Sequence, residues 1–483
     1  MKREVPLKLP YRCSVRSTPR IHAACCAVLV IACGEGSGPL ETPDAGSLPN
    51  EAPLSPGSES SLSWAVPAGQ PSPALSVKVG LGAGGGRVHV NAAGDVLVAG
   101  PTRVGSGGDE RYVPALARRD AAGTGLWARA YSPDARLVAA LEDDGSSVAA
   151  GYFAGSLNLA GAELTSFRNP PSAFGSASSL DDTYRRGERS LDIVLLRLTP
   201  EGGVAWARRF GDAGDQAARV IERTAAGEFV VAGDFAGQLA MDGLSVTTSG
   251  GGGRADLFIA RFDAGGNVRS LWREEPLHVD AILTEADGSL WIAGRANDLG
   301  SNRLWKLGPD GQRQLSISVN DAGIALAAKL ARGDGGSIYA LYNSTQGSSL
   351  FGRSIAGDGA LVRLSPAGEV EWLQPLGADF TLATLATDAA GNLAVAGTYR
   401  ASIDLGAGPL ASTGDLDIFV ASFSARGTLR HSFRLGSAGQ DGVDDIAARP
   451  NGGWLIPFYL ERPITLLAQP ITEGEHLLWL DED

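Results

Sequence analysis

The chain has 483 residues, including 65 glycines and 26 prolines, and its formal net charge is −13. A hydrophobic fraction of 44% excludes a disordered chain, and the absence of a Gly-X-Y period excludes collagen. The glycine excess favours an all-β fold with many turns, and the negative charge disfavours binding to nucleic acid.

The first 32 residues have the order of an export sequence. They hold six of the 41 basic residues, followed by the short apolar run AACCAVLVIA at 23–32. This run is too short for a membrane-spanning helix, which needs about 20 residues. A basic segment followed by a short apolar one is typical of a secretory signal, so we interpret residues 1–32 as a signal peptide.

Residue Cys33 ends a short motif of its own. Val30-Ile31-Ala32-Cys33 resembles the bacterial lipobox, which implies cleavage before Cys33 and attachment of a diacylglyceryl group to its sulfur. We therefore expect a lipid-anchored protein of the bacterial cell envelope, at the outer membrane. An ordinary signal peptide is the alternative. Because all four cysteines lie within residues 1–33, the remainder has no disulfide and no thiol chemistry.

Residues 33–60 contain the modified cysteine and a stretch of Gly, Ser, Pro and acids without apolar periodicity. Such a composition cannot bury a core and is typical of a flexible tether. From residue 33 onward the chain carries 35 basic and 53 acidic residues. We expect this acidic surface to repel phosphate backbones.

Two sequence pieces then alternate to the end of the chain. The first is a Gly turn followed by a strand, and it occurs seven times, as AAGDVLVAG (92–100), DDGSSVAAG (143–151), AAGEFVVAG (225–233), ADGSLWIAG (286–294), GDGGSIYAL (333–341), AAGNLAVAG (389–397) and PNGGWLIPF (450–458). The second is a strand, a Gly turn and another strand, and it occurs six times, as in VLLRLTPEGGVAW (194–206) and ALVRLSPAGEVEW (360–372).

This count predicts a seven-bladed β-propeller over residues 61–483, with four antiparallel strands per blade. The seventh unit ends at residue 483 without its fourth strand, whereas Ser61–Ala65 matches the strand that ends the other units. We therefore predict that this N-terminal strand completes the last blade and closes the ring. A linear β-solenoid is the alternative, but it gives no reason for the divided unit. Residues 167–190 form a polar, loop-like insertion.

The repeats resemble the secreted bacterial β-propeller repeat family (SBBP type). The resemblance rests on AAGEFVVAGDFAG (225–237), DLFIARFDAGGNV (256–268) and WARRFGDAGDQAARV (206–220), and it covers most of residues 80–460. It implies a secreted or surface propeller and assigns no activity. The fourth and seventh units depart most, since the fourth lacks the closing Trp and the seventh has Pro457 where Ala or Gly is usual.

One recurrent residue is the tryptophan that ends the units. Because the same position recurs from unit to unit, we interpret the set as core or inter-blade packing. His431 occupies the same position and is read as a substitute for Trp. The set comprises Trp64, Trp127, Trp206, Trp272 and Trp372.

A second recurrent residue is an aspartate five positions before an arginine. Residues five apart on a strand face opposite sides of a sheet, so each Asp must bind elsewhere, either turn amides or an Arg of the next blade. A ring of acids that binds a cation at the channel mouth is the alternative. The aspartates are Asp192, Asp256, Asp358 and Asp417, the last followed by Ser422 instead of Arg.

No catalytic motif is visible in the sequence. It contains neither Gly-x-Ser-x-Gly nor a phosphate-binding Gly-rich loop, the five histidines are scattered, and no metal or cofactor is implied. We therefore expect a monomeric binding or scaffold module for a protein or a glycan, held at a membrane by its lipid. A propeller hydrolase or lyase acting on an extracellular polymer is the alternative. It would require polar residues from several blades to converge at the channel mouth.

Overall fold

The fold is built from strands. The computed structural model describes residues 63–65, 75–81, 87–104, 111–159, 163–167, 190–249, 255–274, 277–296, 302–319, 326–343, 349–377, 380–466 and 469–482. Apart from a 3-10 turn at Asp334–Gly336, the regular structure in these ranges is β-strand. None of these ranges contains a helix that is long and apolar enough to cross a bilayer.

Two N-terminal strands precede seven consecutive blades. The strands are β1 (Ser63–Ala65) and β2 (Leu75–Leu81). Blade 1 contains β3 (Arg87–Val90), β4 (Val96–Val104), β5 (Arg111–Arg119) and β6 (Gly125–Ala130). Blade 2 contains β7 (Ala135–Leu141), β8 (Ser147–Phe153), β9 (Ser156–Asn158), β10 (Glu163–Thr165), β11 (Asp192–Leu198) and β12 (Val204–Phe210). Blade 3 contains β13 (Gln216–Arg223), β14 (Phe229–Phe235), β15 (Gln238–Met241), β16 (Leu244–Thr247), β17 (Asp256–Phe262) and β18 (Val268–Glu274).

The remaining blades follow the same order. Blade 4 contains β19 (Leu277–Thr284), β20 (Leu290–Ala296), β21 (Asn302–Leu307) and β22 (Arg313–Ser318). Blade 5 contains β23 (Leu326–Arg332), β24 (Ile338–Asn343), β25 (Ser349–Leu350), β26 (Arg353–Ser354), β27 (Gly359–Leu364) and β28 (Val370–Pro375). Blade 6 contains β29 (Phe380–Thr387), β30 (Leu393–Tyr399), β31 (Ser402–Asp404), β32 (Pro409–Ala411), β33 (Asp417–Phe423) and β34 (Leu429–Leu435). Blade 7 contains β35 (Gly442–Val443), β36 (Ala447–Ala448), β37 (Trp454–Leu460), β38 (Ile464–Leu466), β39 (Gln469–Ile471) and β40 (Gly474–Glu482).

The blades form a closed ring, which confirms the predicted seven-bladed propeller. The first strand of each blade contacts the first strand of the next, and β3 of blade 1 contacts β36 of blade 7. The first strands therefore surround a central channel. Each blade is covered on both faces by its neighbours, so its middle strands are apolar on both sides, as in β14 and β17.

The strand that completes blade 7 is β2, which pairs over its whole length with β40, from Leu75 opposite Glu482 to Leu81 opposite His476. The prediction that Ser61–Ala65 fills this place is therefore wrong in its choice of strand. The described part of that segment, β1, adds a fifth strand to blade 6 by pairing with β34. β2 forms a seven-residue ladder with β40, whereas β1 has only three residues to pair, so β2 provides more backbone hydrogen bonds at this edge.

The two faces of the disc differ. In the described residues, each connection from first to second strand and from third to fourth strand is a short turn, stabilised as in Gly202 N–H to Thr199 O (2.9 Å) and Thr199 N–H to Gly203 O (2.7 Å). We name this side the turn face. On the opposite side, the second and third strands of five blades are joined through two-stranded hairpins, which define the hairpin face: β9–β10, β15–β16, β25–β26, β31–β32 and β38–β39.

Candidate functional site

One group of charged side chains crosses the channel near the junction of blades 7 and 1. Asp445 accepts hydrogen bonds from Val88 N–H of blade 1 (3.2 Å) and Thr384 Oγ1 of blade 6 (2.8 Å). Lys329 Nζ of blade 5 lies 3.7 Å from Asp445 Oδ1. Blades 5 and 7 are not neighbours in the ring, so this pair meets at the axis. With Arg87 and His89, these residues form the throat cluster.

The throat cluster is sheltered from water, and its pKa values reflect this. Burial lowers the pKa of His89 to about 4, so the imidazole is neutral at pH 7. Burial also lowers the pKa of Lys329, although Asp445 opposes the shift. The cations Lys329 and Arg87, together with the hydrogen bond from Thr384, outweigh the burial of Asp445 and lower its pKa. Asp445 therefore remains a carboxylate that compensates two channel cations.

A second ion pair crosses the channel toward the turn face. Arg332 of blade 5 places Nη2 3.3 Å from Glu222 Oε1 of blade 3 and donates to Thr284 O of blade 4 (2.7 Å). Burial raises the pKa of Glu222 to about 7 against the opposing effect of Arg332. Acids and bases thus lie together along the throat, which makes this part of the channel a linkage between blades.

A different arrangement lies at the hairpin end of the inner strands. Arg219 of β13 donates from Nε to Asp234 Oδ2 (2.8 Å) and from Nη1 to Tyr152 Oη (3.3 Å), and its guanidinium lies 4.9 Å from the centre of the Tyr152 ring. His278 Nδ1 of blade 4 lies 3.4 Å from the same Asp234 oxygen. We name these four residues, from blades 2, 3 and 4, the mouth cluster.

The members of the mouth cluster bind one another through hydrogen bonds and charges. Although Asp234 is only 16% exposed, the hydrogen bonds and charges of His278 and Arg219 outweigh burial and lower its pKa. Asp234 raises the pKa of Arg219 despite burial. Arg219 is the extra residue of a β-bulge between Ala218 and Val220, and bulges often redirect a side chain next to a functional site.

The repeated aspartates lie on the third strands rather than around the channel. Asp256 accepts from Arg273 Nη1 (2.9 Å) and Ser249 N–H (2.7 Å), and Asp417 accepts from Arg434 Nη1 (3.0 Å) and Thr413 N–H (2.9 Å). Asp192 is bound in the same way by Arg209 and Phe167 N–H. The turn amides were expected, but the arginine belongs to the fourth strand of the same blade, not to the next blade.

Asp358 departs from this arrangement, since the position of the partner arginine holds Pro375. In the cation-binding alternative these aspartates would form a ring at the channel mouth, but the three buried ones are separated, each inside its own blade. The described residues contain no group of three or more His, Cys, Asp or Glu side chains that could hold a metal ion.

The arginines five positions after these aspartates connect neighbouring blades. Arg197 donates to Ala264 O of blade 3 (3.0 Å) and Arg363 to Ala425 O of blade 6 (2.8 Å), each in the next blade's turn between third and fourth strands. Ser422 breaks the series for a reason of topology. The next blade is blade 7, whose fourth strand comes from the N-terminus, so the turn that an arginine would bind does not exist there.

The tryptophans contact the same turns. A Cβ added to Gly202 would lie 2.7 Å from the Trp127 ring, and one added to Gly266 would lie 2.7 Å from the Trp206 ring. Trp272 and Trp372 lie similarly against Gly311 and Gly427 of the blades that follow them. In blade 4, Leu315 and Ile317 replace the indole against Gly368. The strand of Trp64 joins blade 6, and Cys33 lies outside the described residues.

Sequence reasoning did not single out the throat or mouth residues. A usable indication existed in the inner strands, at the position five before each turn glycine. Sister strands carry Ala140, Leu283 and Ala386 there, whereas blades 1 and 3 carry His89 and Glu222. A polar residue where sister repeats are apolar marks a position that has a use other than packing.

A shallow groove of about 290 Å³ lies elsewhere, on the turn face between blades 3 and 4. Ala225, Glu228, Glu285 and Asp287 are among its lining residues, and Arg261 crosses it to donate to Gly288 O. Its cation is thus engaged in linking the two blades. Two of its three carboxylates are also engaged, Glu285 by Lys306 (2.9 Å) and Asp287 by Ser289 Oγ (2.9 Å), so we place the candidate site at the mouth.

Comparison with known proteins assigns no function. No family model matches the sequence, and no curated protein matches it either. Similar solved structures include a protein of unknown function from Dyadobacter fermentans DSM 18053 (12% identity, 73% of this chain and 96% of that one, TM-score 0.41). They also include the Dos1 propeller (9%, 83% and 94%, 0.43) and the NanB sialidase from Streptococcus pneumoniae (10%, 83% and 69%, 0.36). Similarities at these identities and TM-scores assign neither a family nor a function to this chain.

Proposed function

We propose that this protein is a lipid-anchored propeller of the bacterial cell envelope whose hairpin face binds a protein or a glycan. The observation that carries the proposal is the asymmetry of the disc: the five hairpin connections leave and re-enter the blades at the same side as the mouth cluster, and short, internally bonded turns lie on the other side. The tip of β15–β16 folds back along the rim of blade 3, where Asp242 accepts from Val268 N–H (3.1 Å). Longer connections held by a rigid scaffold are where binding residues are concentrated.

The same asymmetry gives the experiment. A photo-crosslinking amino acid is introduced in place of Thr247 or Ala411, which are exposed at the bases of hairpins of blades 3 and 6, or in place of Glu201, exposed on the turn face. In cells that express the full chain, we expect one common adduct from both hairpin positions and none from position 201. Adducts of equal yield from all three positions, or none from the hairpins, would contradict the proposal.

An enzyme that acts on an extracellular polymer is the second candidate, and one observation favours it. Polar side chains of three blades converge at the mouth, and the His278–Asp234 pair leaves Nε2 of the imidazole facing away from the carboxylate. The full chain would then release new reducing ends from polysaccharides, and His278→Asn would abolish the release. Release that persists in this variant, or no release from any polymer, rejects this candidate.

A further inference from the structure

We infer that the mouth cluster is a binding site for an acidic sugar, with Arg219 and Tyr152 receiving the carboxylate and Asp234 and His278 receiving a hydroxyl. The inference rests on the proposed binding function and names the ligand class of that site. Three features of the cluster support it: the hydrogen-bonding groups that the cluster leaves unused, the charge around them, and the mixture of donors and acceptors.

Arg219 and Tyr152, which would receive the ligand's carboxylate, have hydrogen-bond donors that the cluster leaves unused. Arg219 spends Nε on Asp234 and Nη1 on Tyr152, and Nη2 has no partner among the described residues. Tyr152 accepts one hydrogen bond through its oxygen, so its hydroxyl hydrogen remains to donate. Arg219 is 31% exposed, so these donors are within reach of the channel. Because Asp234 accepts a hydrogen bond from Nε of Arg219, the guanidinium is already oriented before a ligand binds.

The charge near Tyr152 also favours a ligand with a carboxylate. Arg136 lies directly opposite Tyr152 in the pairing of β7 with β8 and is exposed. Side chains opposite each other in an antiparallel pair lie on one face, with Cβ atoms about 5 Å apart. Arg136 donates through Nη1 to Pro133 O and Ala135 O, and it adds a second cation to the face that carries Tyr152, in a molecule whose net charge is −13.

On the other side of the cluster, Asp234 and His278 have atoms that can bind a hydroxyl. His278 and Arg219 both approach Oδ2 of Asp234, so Oδ1 remains an acceptor without a partner among the described residues. His278 Nε2 is likewise unused there. A simple carboxylate would leave both groups unsatisfied, whereas a sugar acid brings hydroxyls that can donate to Oδ1 and bond to Nε2. In the throat cluster, by contrast, Lys329 and Arg87 both lie near the carboxylate of Asp445, which already accepts from Val88 N–H and Thr384 Oγ1.

The experiment measures binding of three probes to the full-length chain in detergent by isothermal titration calorimetry. The probes are trigalacturonate, its neutral methyl ester, and tetra-aspartate, which has carboxylates but no hydroxyls. We expect trigalacturonate to bind, and the other two to bind at least about tenfold more weakly, since each lacks one half of the recognised chemistry. Equal binding of the ester or of tetra-aspartate, or no binding of trigalacturonate at millimolar concentration, overturns the inference.

Variants tie the binding to the cluster. Arg219→Gln should weaken trigalacturonate binding about tenfold or more, and Tyr152→Phe, which removes only a hydroxyl, by a few-fold. The control is Arg208→Gln, which changes an arginine paired with Asp242 outside the cluster and should leave the affinity unchanged. Melting curves show whether Arg219→Gln is folded; if it is not, Tyr152→Phe decides.

Unchanged affinity in Tyr152→Phe, or an equal loss in Arg208→Gln, overturns the assignment to the mouth. Failure of this inference is distinguishable from failure of the proposed function. Hairpin-face crosslinks that persist while all three probes fail to bind would reject the acidic sugar and leave the hairpin face as a binding surface for another ligand.

Discussion

At the scale of single residues, Asp445 shows how a charged group can hold a ring together. It is 13% exposed and receives partners from blades 1, 5 and 6. Among the described residues, the apolar cluster between blades 7 and 1 has six buried members, fewer than between any other neighbouring blades. Asp445 therefore adds a polar linkage at the junction where the described residues form the smallest apolar cluster.

Replacement of Asp445 by Asn should be costly. The change keeps the shape but leaves Lys329 and Arg87 without their compensating charge, and breaking a buried pair in this way costs on the order of 3 kcal/mol. The control is Asp143→Asn, which removes the exposed pair with Arg223 and should cost no more than about 1 kcal/mol. Urea unfolding of the two variants measures the difference, and similar losses would contradict the role given to Asp445.

At the same scale, the turn glycines allow the packing of tryptophan to be separated from backbone strain. Gly202 and Gly227 have nearly the same φ, 81° and 78°, in the left-handed region that disfavours other residues. A Cβ at Gly202 would meet the Trp127 ring at 2.7 Å, whereas nothing lies within 4 Å of one at Gly227.

We therefore expect Gly227→Ala to cost about 1 kcal/mol, from strain alone, and Gly202→Ala to cost at least about 1 kcal/mol more, from displacement of the indole. Chemical denaturation compares the two variants. Equal costs would mean that the Trp127 ring moves away freely and does not hold blade 1 against blade 2.

At the scale of elements, the order of the two N-terminal strands decides how the ring closes. β2 occupies the fourth place of blade 7, whereas β1 adds a fifth strand to blade 6. The fourth strand is the outer edge that every other blade supplies from its own unit. Blade 7 therefore depends on a segment about 400 residues before β40 in sequence. The pairing of β2 with β40 joins the two ends of the described chain and closes this long loop.

Two internal deletions test this closure. Removal of 75–81 takes the whole partner of β40 away and should lower the free energy of unfolding by several kcal/mol, because a seven-residue ladder is lost. Removal of 63–65 should have a small effect, because blade 6 keeps its own four strands. Thermal melts of the two deletions provide the comparison, and a larger drop for the shorter deletion would contradict β2 as the closing strand.

At the scale of the whole molecule, the disc has a turn face and a hairpin face, and its N-terminal strands lie on the rims of blades 6 and 7. In the proposed arrangement, the tether from Cys33 joins the disc at this rim. A flexible chain of the length of 34–62 spans roughly 30 Å, so the hairpin face would be free to turn toward a partner.

The anchor itself is tested by Cys33→Ser. Because lipid is attached through the cysteine sulfur, we expect this change to abolish incorporation of labelled fatty acid and to release the protein from the membrane fraction. The release must occur without loss of folding, which the melting temperature of the variant monitors. Fatty-acid labelling that continues in the variant would reject the lipobox interpretation.

The repeats show how far sequence reasoning reaches. The turn glycines and the strands around them follow local rules, so the blade number, the four-stranded blades and the short turns could all be predicted from residue spacing. The recurrent Asp and Trp positions could be recognised as a repeated set for the same reason. Their partners could not be assigned fully: the arginine of Asp417 is Arg434, in the same blade, seventeen residues away on the neighbouring strand.

The sequence by itself thus determined what is local and repeated: an all-β chain of seven units with one unit divided between the two ends. Only the tertiary structure decided which N-terminal strand pairs with β40, and which side chains meet at the axis and at the mouth. Those contacts join residues of different blades, such as Lys329 with Asp445 and His278 with Asp234. No spacing rule within one unit can specify them, because they exist only after the ring has closed.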